Sequence, residues 1–290
     1  MEIFVQTLVT GILIGGLYVA ISIGFTLSFG VLDVVDLAVG MWVVAGVYAA
    51  VICQQLLGIE PLLILPIAFI VFGIIGWIIG PFIYRVRTSH YALPALMALA
   101  FTFGIETVIR GGLLATFGYT PKTVKSHLLQ GVWHYMGISM PVVRVAGFIF
   151  ALVLTALLLI FLYFTRPGLA IRAMAQNKES AGLMGVNVKR MSTLVYALYV
   201  GMTGMAGVLV GAVYATSPQI GLRYTLFAFF VVVLAGLGSV LGVLVSGLIL
   251  GVLQAFVSVY VGANYTLMTV FLVLFVILLL LPNGLARRTA

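Results

Sequence analysis

Ionisable side chains are rare in this 290-residue chain, so the few that sit in apolar surroundings are the first places to look for chemistry. Asp33 and Asp36 are the only charges in the stretch 3–53. Two readings of them stand open. They are either wet carboxylates in a turn between two helices, or part of a broken helix beside a transport path, where free backbone ends and acidic groups build sites. Gly24, Gly30 and Gly40 permit both. Glu106 and Arg110 are four residues apart and share a helix face. An unpaired charge in lipid is costly, so the spacing favours a structural ion pair over a cargo contact. Gln219 and Arg223, in SPQIGLRYT (217–225), could face an outer partner or a cargo entrance. Gln254 and Asn264 are isolated. Histidines 90, 127 and 134 have no metal-ligand spacing, so no metal site is expected. No nucleophile–base–orienter set is apparent, and no GxxxxGK[ST] phosphate loop is present, so the chain is not expected to be an enzyme.

The elements that must hold these residues are set by composition. Apolar residues make up 64% of the chain and charged ones 7%. Such a chain has too little polar surface to wet a soluble fold, and its apolar runs are long and continuous rather than alternating. The expectation is an all-α polytopic membrane protein of about nine spans, at 4–28, 36–57, 61–84, 92–117, 142–164, 192–215, 225–241, 243–261 and 266–282. The division within GLGSVLG (236–242) is the least defined. MEIFVQTLV has no basic lead-in, so the N-terminus is expected to be retained as the start of the first helix. Cys53 is the only cysteine, which excludes an intrachain disulfide.

The net charge of +8 speaks of topology, not of nucleic acid. Arg85, Arg87, Arg166, Arg172, Lys178, Lys189, Arg190, Arg287 and Arg288 fall on one side of the span pattern. Lys122, Lys125, Arg144 and Arg223 fall on the other. The positive-inside rule then predicts the N-terminus outside and the C-terminus inside. The outer loop 118–141 carries Trp133 and Tyr135, residues suited to the membrane–water boundary. Glycines four apart, Gly207 and Gly211, Gly238 and Gly242, Gly247 and Gly251, predict close helix packing.

One polar run stands out: TRPGLAIRAMAQNKESAGLMGVNVKRM, 165–191, with five basic residues and one acid. Thr165-Arg166-Pro167-Gly168 ends a span, and LAIRAMAQ predicts a short helix along the interface. Asn177 is a predicted N-cap for a second short helix with Glu179 in its first turn, and Gly185 a predicted C-terminal stop. Ala181 and Met184, with Leu183 near them, would form a small apolar knob. Three readings compete: a loop resting on anionic lipid headgroups, a segment packed on its own chain, or a helix docking into a groove of a soluble partner.

The run resembles the cytoplasmic coupling loop of the branched-chain amino acid (LIV-type) ABC permease family, with matches at Gly168, Ala170, Arg172, Ala173, Ala175, Asn177, Ala181, Gly185 and Asn187. AGVL (206–209), SPQIG (217–221), VVVLAGLGSVLG (231–242) and GFTLSFGVLDVVDLAVG (24–40) extend the resemblance along nearly the whole chain. Within the last, DLAVG (36–40) is similar to the D-L-S-V-G of the related ribose and xylose permeases. The resemblance implies one transmembrane permease domain, 1–290, in a bacterial cytoplasmic membrane. It implies a second permease, identical or related, two cytoplasmic ATPase subunits that bind the ATP and Mg, and an extracytoplasmic binding protein. The chain itself would hold no cofactor. Contact with the ATPase would fall on Asn177, Glu179, Ser180, Ala181, Met184 and Gly185, with Arg172, Lys178, Lys189 and Arg190 steering. Translocation-path candidates are Asp33, Asp36, Gly40, Glu106, Arg110 and Gln219. The cargo implied is a branched-chain or other small amino acid, with a small sugar, amide or carboxylate in reserve. A rival class is an independent secondary transporter in which Asp33, Asp36 and Glu106 carry ions; the scarcity of intramembrane acids weighs against it.

Overall fold

The computed structural model describes residues 2–89, 93–126, 128–129, 131–135, 137–236, 238–280 and 284–285. Arg287 and Arg288, used above for orientation, and His90 and His127 lie outside the described residues. Eleven α-helices follow one another: α1 Glu2–Leu27, α2 Val39–Leu57, α3 Pro61–Arg87, α4 Pro94–Phe117, α5 Val142–Phe164, α6 Arg166–Gln176, α7 Lys178–Leu183, α8 Val188–Val213, α9 Gly221–Ala235, α10 Val240–Val257 and α11 Thr266–Leu280. A proline sits at the first turn of α3, α4 and α6, where its fixed φ and missing N–H cost nothing.

Among the described residues, eight stretches are long and apolar enough to cross a membrane. The chain is therefore a polytopic α-helical membrane protein. The nine-span expectation divides the last stretch, Val240–Leu280, which is 41 residues long. There α10 and α11 are separated by a π-helical turn, Ser258–Gly262, and a 3-10 turn, Ala263–Tyr265.

Several boundaries differ from expectation. The first helix continues beyond 28 as a π-helical turn, Ser28–Leu32, and α2 starts only at Val39. The break expected at 242 falls at 236–239, where Gly236 and Gly238 adopt positive φ and the Ser239 side chain caps the Gly242 N–H at 3.0 Å. Gly238 is thus a turn residue and not half of a packing pair. The loop 118–141 holds a two-stranded antiparallel hairpin, Val132–Tyr135 with Ile138–Pro141. Gln6 of α1 completes its edge: the carboxamide donates to Ser139 O at 2.8 Å and accepts from Ser139 N at 2.9 Å.

Helices α1 and α8 form the centre. The most apolar window of α8 is 83% buried, whereas that of α4 is 17% buried and faces outward. Helix α8 packs on α1, α2 and α3, and α1 on α5, α9 and α10. Small residues let these axes approach. A Cβ on Gly207 would lie 2.2 Å from Val43 O, and one on Gly251 would lie 2.3 Å from Gly15 N. In lipid, where the hydrophobic effect no longer drives association, such contact supplies the dispersion that holds helices together.

Candidate functional site: a capped helix and a broken-helix junction

At the basic end of the bundle, α5 stops at Phe164 and Thr165 caps α6, accepting from Gly168 N at 3.1 Å. Helix α6 does not float on the surface. Ile171 and Met174 are each 1% exposed, so the amphipathic helix is packed on its own chain. Arg172, expected to steer a partner, instead stacks its guanidinium over the Tyr163 ring, 4.5 Å from the centroid.

Helix α7 is a single capped turn and a half. Asn177 accepts from Ser180 N at 2.9 Å, and Glu179 stands in the first turn. At the far end Met184 N donates to Ser180 O and Val186 N to Ala181 O, both at 3.1 Å. Gly185 has φ +88°, a conformation that a β-carbon would strain. Asn187 then caps α8 through Arg190 N at 3.0 Å, a cap the sequence reading passed over.

The knob differs from expectation. Ala181 is 4% exposed and belongs to the core, while Leu183 and Met184 are 89% and 86% exposed. On a turn of 3.6 residues, Ala181 and Leu183 cannot share a face. The outward apolar pair is therefore Leu183–Met184, flanked by exposed Asn177, Glu179, Ser180 and Gly185.

Besides the buried Ala181, Lys178 ties helix α7 to the bundle. Lys178 Nζ donates to Asp33 Oδ2 at 2.6 Å and to Leu32 O at 3.1 Å. Arg87 Nε, from the end of α3, donates to Asp33 O at 3.3 Å. Asp33 ends the π-helical turn of the first stretch with φ +55°. The ends of α1, α3 and α7 thus meet at one exposed residue, Asp33, with Lys178 on its carboxylate and Arg87 on its backbone carbonyl.

From Asp33 the chain continues through 34–38 to α2, and Asp36 has the opposite fate. It is 1% exposed. Its carboxylate accepts from Ala38 N at 2.7 Å and from the Tyr196 hydroxyl of α8 at 2.9 Å. Burial pushes this carboxyl up to about 6, against the downward pull of those two donors. Leu37 N donates to Thr102 Oγ1 of α4 at 3.3 Å, and Gly40 N donates to Thr225 Oγ1 of α9 at 3.0 Å. A Cβ on Gly40 would lie 1.9 Å from Gly221 O, so the first turns of α2 and α9 touch where only glycine fits. The two carboxylates therefore differ: Asp33 is exposed at the end of the first stretch and pairs with Lys178, and Asp36 is buried in the connection to α2.

Glu106 follows Thr102 by one turn of α4, and both are buried. Glu106 and Arg110 pair with each other at 3.5 Å on α4, the former buried and the latter half-exposed. Gln219 is exposed on the 3-10 turn Pro218–Ile220. Asp36 and Gly40 bound the short connection that Thr102 and Thr225 hold. Tyr196, Thr102 and Thr225, which hold that place, carry no signal in the sequence because each looks like one more small or aromatic residue in an apolar run. Among the described residues no group of three or more His, Cys, Asp or Glu could hold a metal ion.

Residues 7–281 match the family model described as the branched-chain amino acid transport system / permease component. The high-affinity branched-chain amino acid transport system permease protein LivH of Escherichia coli K12 is 30% identical over 300 residues, covering 98% of this chain and 96% of that protein. The corresponding permease protein BraD of Pseudomonas aeruginosa is 26% identical over 295 residues, covering 98% and 96%. The ribose import permease protein RbsC of Escherichia coli K12 is 27% identical over 259 residues, covering 86% of this chain and 77% of that one. No solved structure matches the chain. With nearly its whole length matched, the chain belongs to the branched-chain amino acid transport system permease component family.

Proposed function

We propose that this chain is a permease subunit of a binding-protein-dependent ABC importer for branched-chain or other small amino acids. The observation that carries the reading is the Leu183–Met184 pair: two large apolar side chains held out from the basic end on a short, doubly capped helix. Exposed apolar side chains in water call for a partner, and a small helix with few anchors suits a groove in a soluble protein. On this reading the basic end is cytoplasmic, as the positive-inside rule assigns it, and the partners are two ATPase subunits. A second permease completes the pathway, and an extracytoplasmic binding protein delivers cargo.

The route for force follows the bonds already described. A pull on α7 acts through Lys178 on Asp33, and Asp33 is the hinge from which 34–38 leads to the junction of α2, α4, α8 and α9. A rigid element that moves a connection between two helices can shift them as bodies. Neither ATP nor an ion need bind this chain for that step.

The likeness to the ribose permease supports a second cargo, a small sugar, at lower weight. Purification of the detergent-solubilised chain from its native membrane, with mass spectrometry of what accompanies it, tests the subunit reading. ATPase chains and ATP-driven leucine uptake after reconstitution are expected. A chain that purifies alone and transports without ATP is an independent transporter instead.

A further inference from the structure

A cavity of about 150 Å³ lies between α1, α8, α9 and α10 and the 214–220 connection. A cavity on the order of 150 Å³ holds a ligand of benzene's size, so this one suits a molecule of a few heavy atoms. Its polar lining is Tyr18, Tyr214, Tyr224, Gln254 and Arg223. Among the described lining residues, Arg223 is the only charged one and no acid accompanies it. Neither ion pair among the described residues involves Arg223, whose guanidinium lies 5.8 Å from the Phe227 ring centroid.

The neutral polar groups are fixed in place. Tyr18 stacks on Phe227 at 4.6 Å and 11°, and its hydroxyl donates to Gln254 Oε1. The Tyr224 hydroxyl meets Thr216 Oγ1 at 3.3 Å. Leu17, Ile21 and Val210 form the apolar wall. The site therefore offers one cation with a planar donor fork, neutral donors beside it and an aliphatic surface.

We propose that this cavity is a station for a small aliphatic carboxylate, with Arg223 as the carboxylate-binding residue and Gln254 and Tyr18 as its neighbours. A guanidinium pairs with a carboxylate through two parallel hydrogen bonds, which an ammonium cannot reproduce. The aliphatic end of the ligand lies against Leu17, Ile21 and Val210. An amine without a carboxylate offers the guanidinium no acceptor pair. The choice of leucine as the natural occupant rests on the importer reading above; the chemistry of the cavity does not.

The test is saturation-transfer NMR of leucine with the full-length chain in lipid nanodiscs, competed separately by 4-methylpentanoate, which lacks the amino group, and isoamylamine, which lacks the carboxylate. 4-Methylpentanoate is expected to displace leucine and isoamylamine to leave it bound. Arg223→Gln should weaken leucine binding about tenfold, the loss of one charge-assisted contact, with part restored by Arg223→Lys. Absence of leucine binding, equal competition by the two analogues, or binding unchanged in Arg223→Gln would overturn the proposal. The competition on the wild-type chain decides the matter even if the variant fails to fold. ATP-driven leucine uptake that ignores Arg223→Gln removes this site and spares the importer reading. Arg223-dependent binding without ATP-driven uptake does the reverse.

Discussion

At the scale of single residues, neighbours in sequence have opposite environments, and the same substitution separates them. Ala181 is buried and Met184 projects outward, three positions along one short helix. An arginine at Ala181 must bring a charge into packed core, at a cost of several kcal/mol unless it finds a partner. An arginine at Met184 meets solvent. Ala181→Arg is thus expected to lower the amount of folded protein in the membrane. Met184→Arg should leave abundance unchanged and abolish ATP-coupled uptake. Quantitative immunoblotting beside uptake in the same cells distinguishes the two; equal abundance of both variants would show Ala181 to be as exposed as Met184. Asp33 and Asp36 repeat the pattern. Which carboxylate stays wet was not legible in the sequence, because the answer depends on Lys178 and Tyr196, 145 and 160 residues away along the chain.

At the scale of elements, legibility followed how local the cause was. Asn177 and Gly185 were readable as the ends of α7 because a cap needs only its own turn. The long apolar runs were readable for the same reason. The π-helical turn at Ser28–Leu32, the hairpin and the late start of α2 were not, since each depends on what the segment packs against. Helix α7 is too short to be stable alone, so its cap contributes a large part of its order. Asn177→Ala should cost about 1 kcal/mol and raise amide exchange in 178–184 by roughly fivefold, while α8 keeps its protection through its own cap at Asn187. Hydrogen-exchange mass spectrometry reads both segments. Exchange unchanged at 178–184 would mean that the Lys178–Asp33 contact, and not the cap, holds the turn. That contact is partly exposed and is worth about 1 kcal/mol or less to stability.

At the scale of the molecule, the architecture separates a buried centre from an outward face and a basic end. Helices α1 and α8 are buried by tight packing, α4 presents its apolar face outward, and the basic end carries the capped helix. Family membership and membrane character were both legible early, since hydropathy and a motif spread along the chain survive ignorance of the packing. The functional division was not: the junction at Asp36, the latch at Asp33 and the cavity at Arg223 join residues from distant helices. The account makes α7 the contact with the ATPase, and one measurement addresses that most directly. Cys53 is the only cysteine, so a Cys53→Ser background allows a single thiol to be placed at will. Met184→Cys on that background, carrying a photoactivatable maleimide in native membranes, should cross-link to an ATPase chain, whereas Val108→Cys on the outward face of α4 should not. If Met184→Cys labels only lipid while Val108→Cys captures the ATPase, the assignment of α7 as the docking element is wrong.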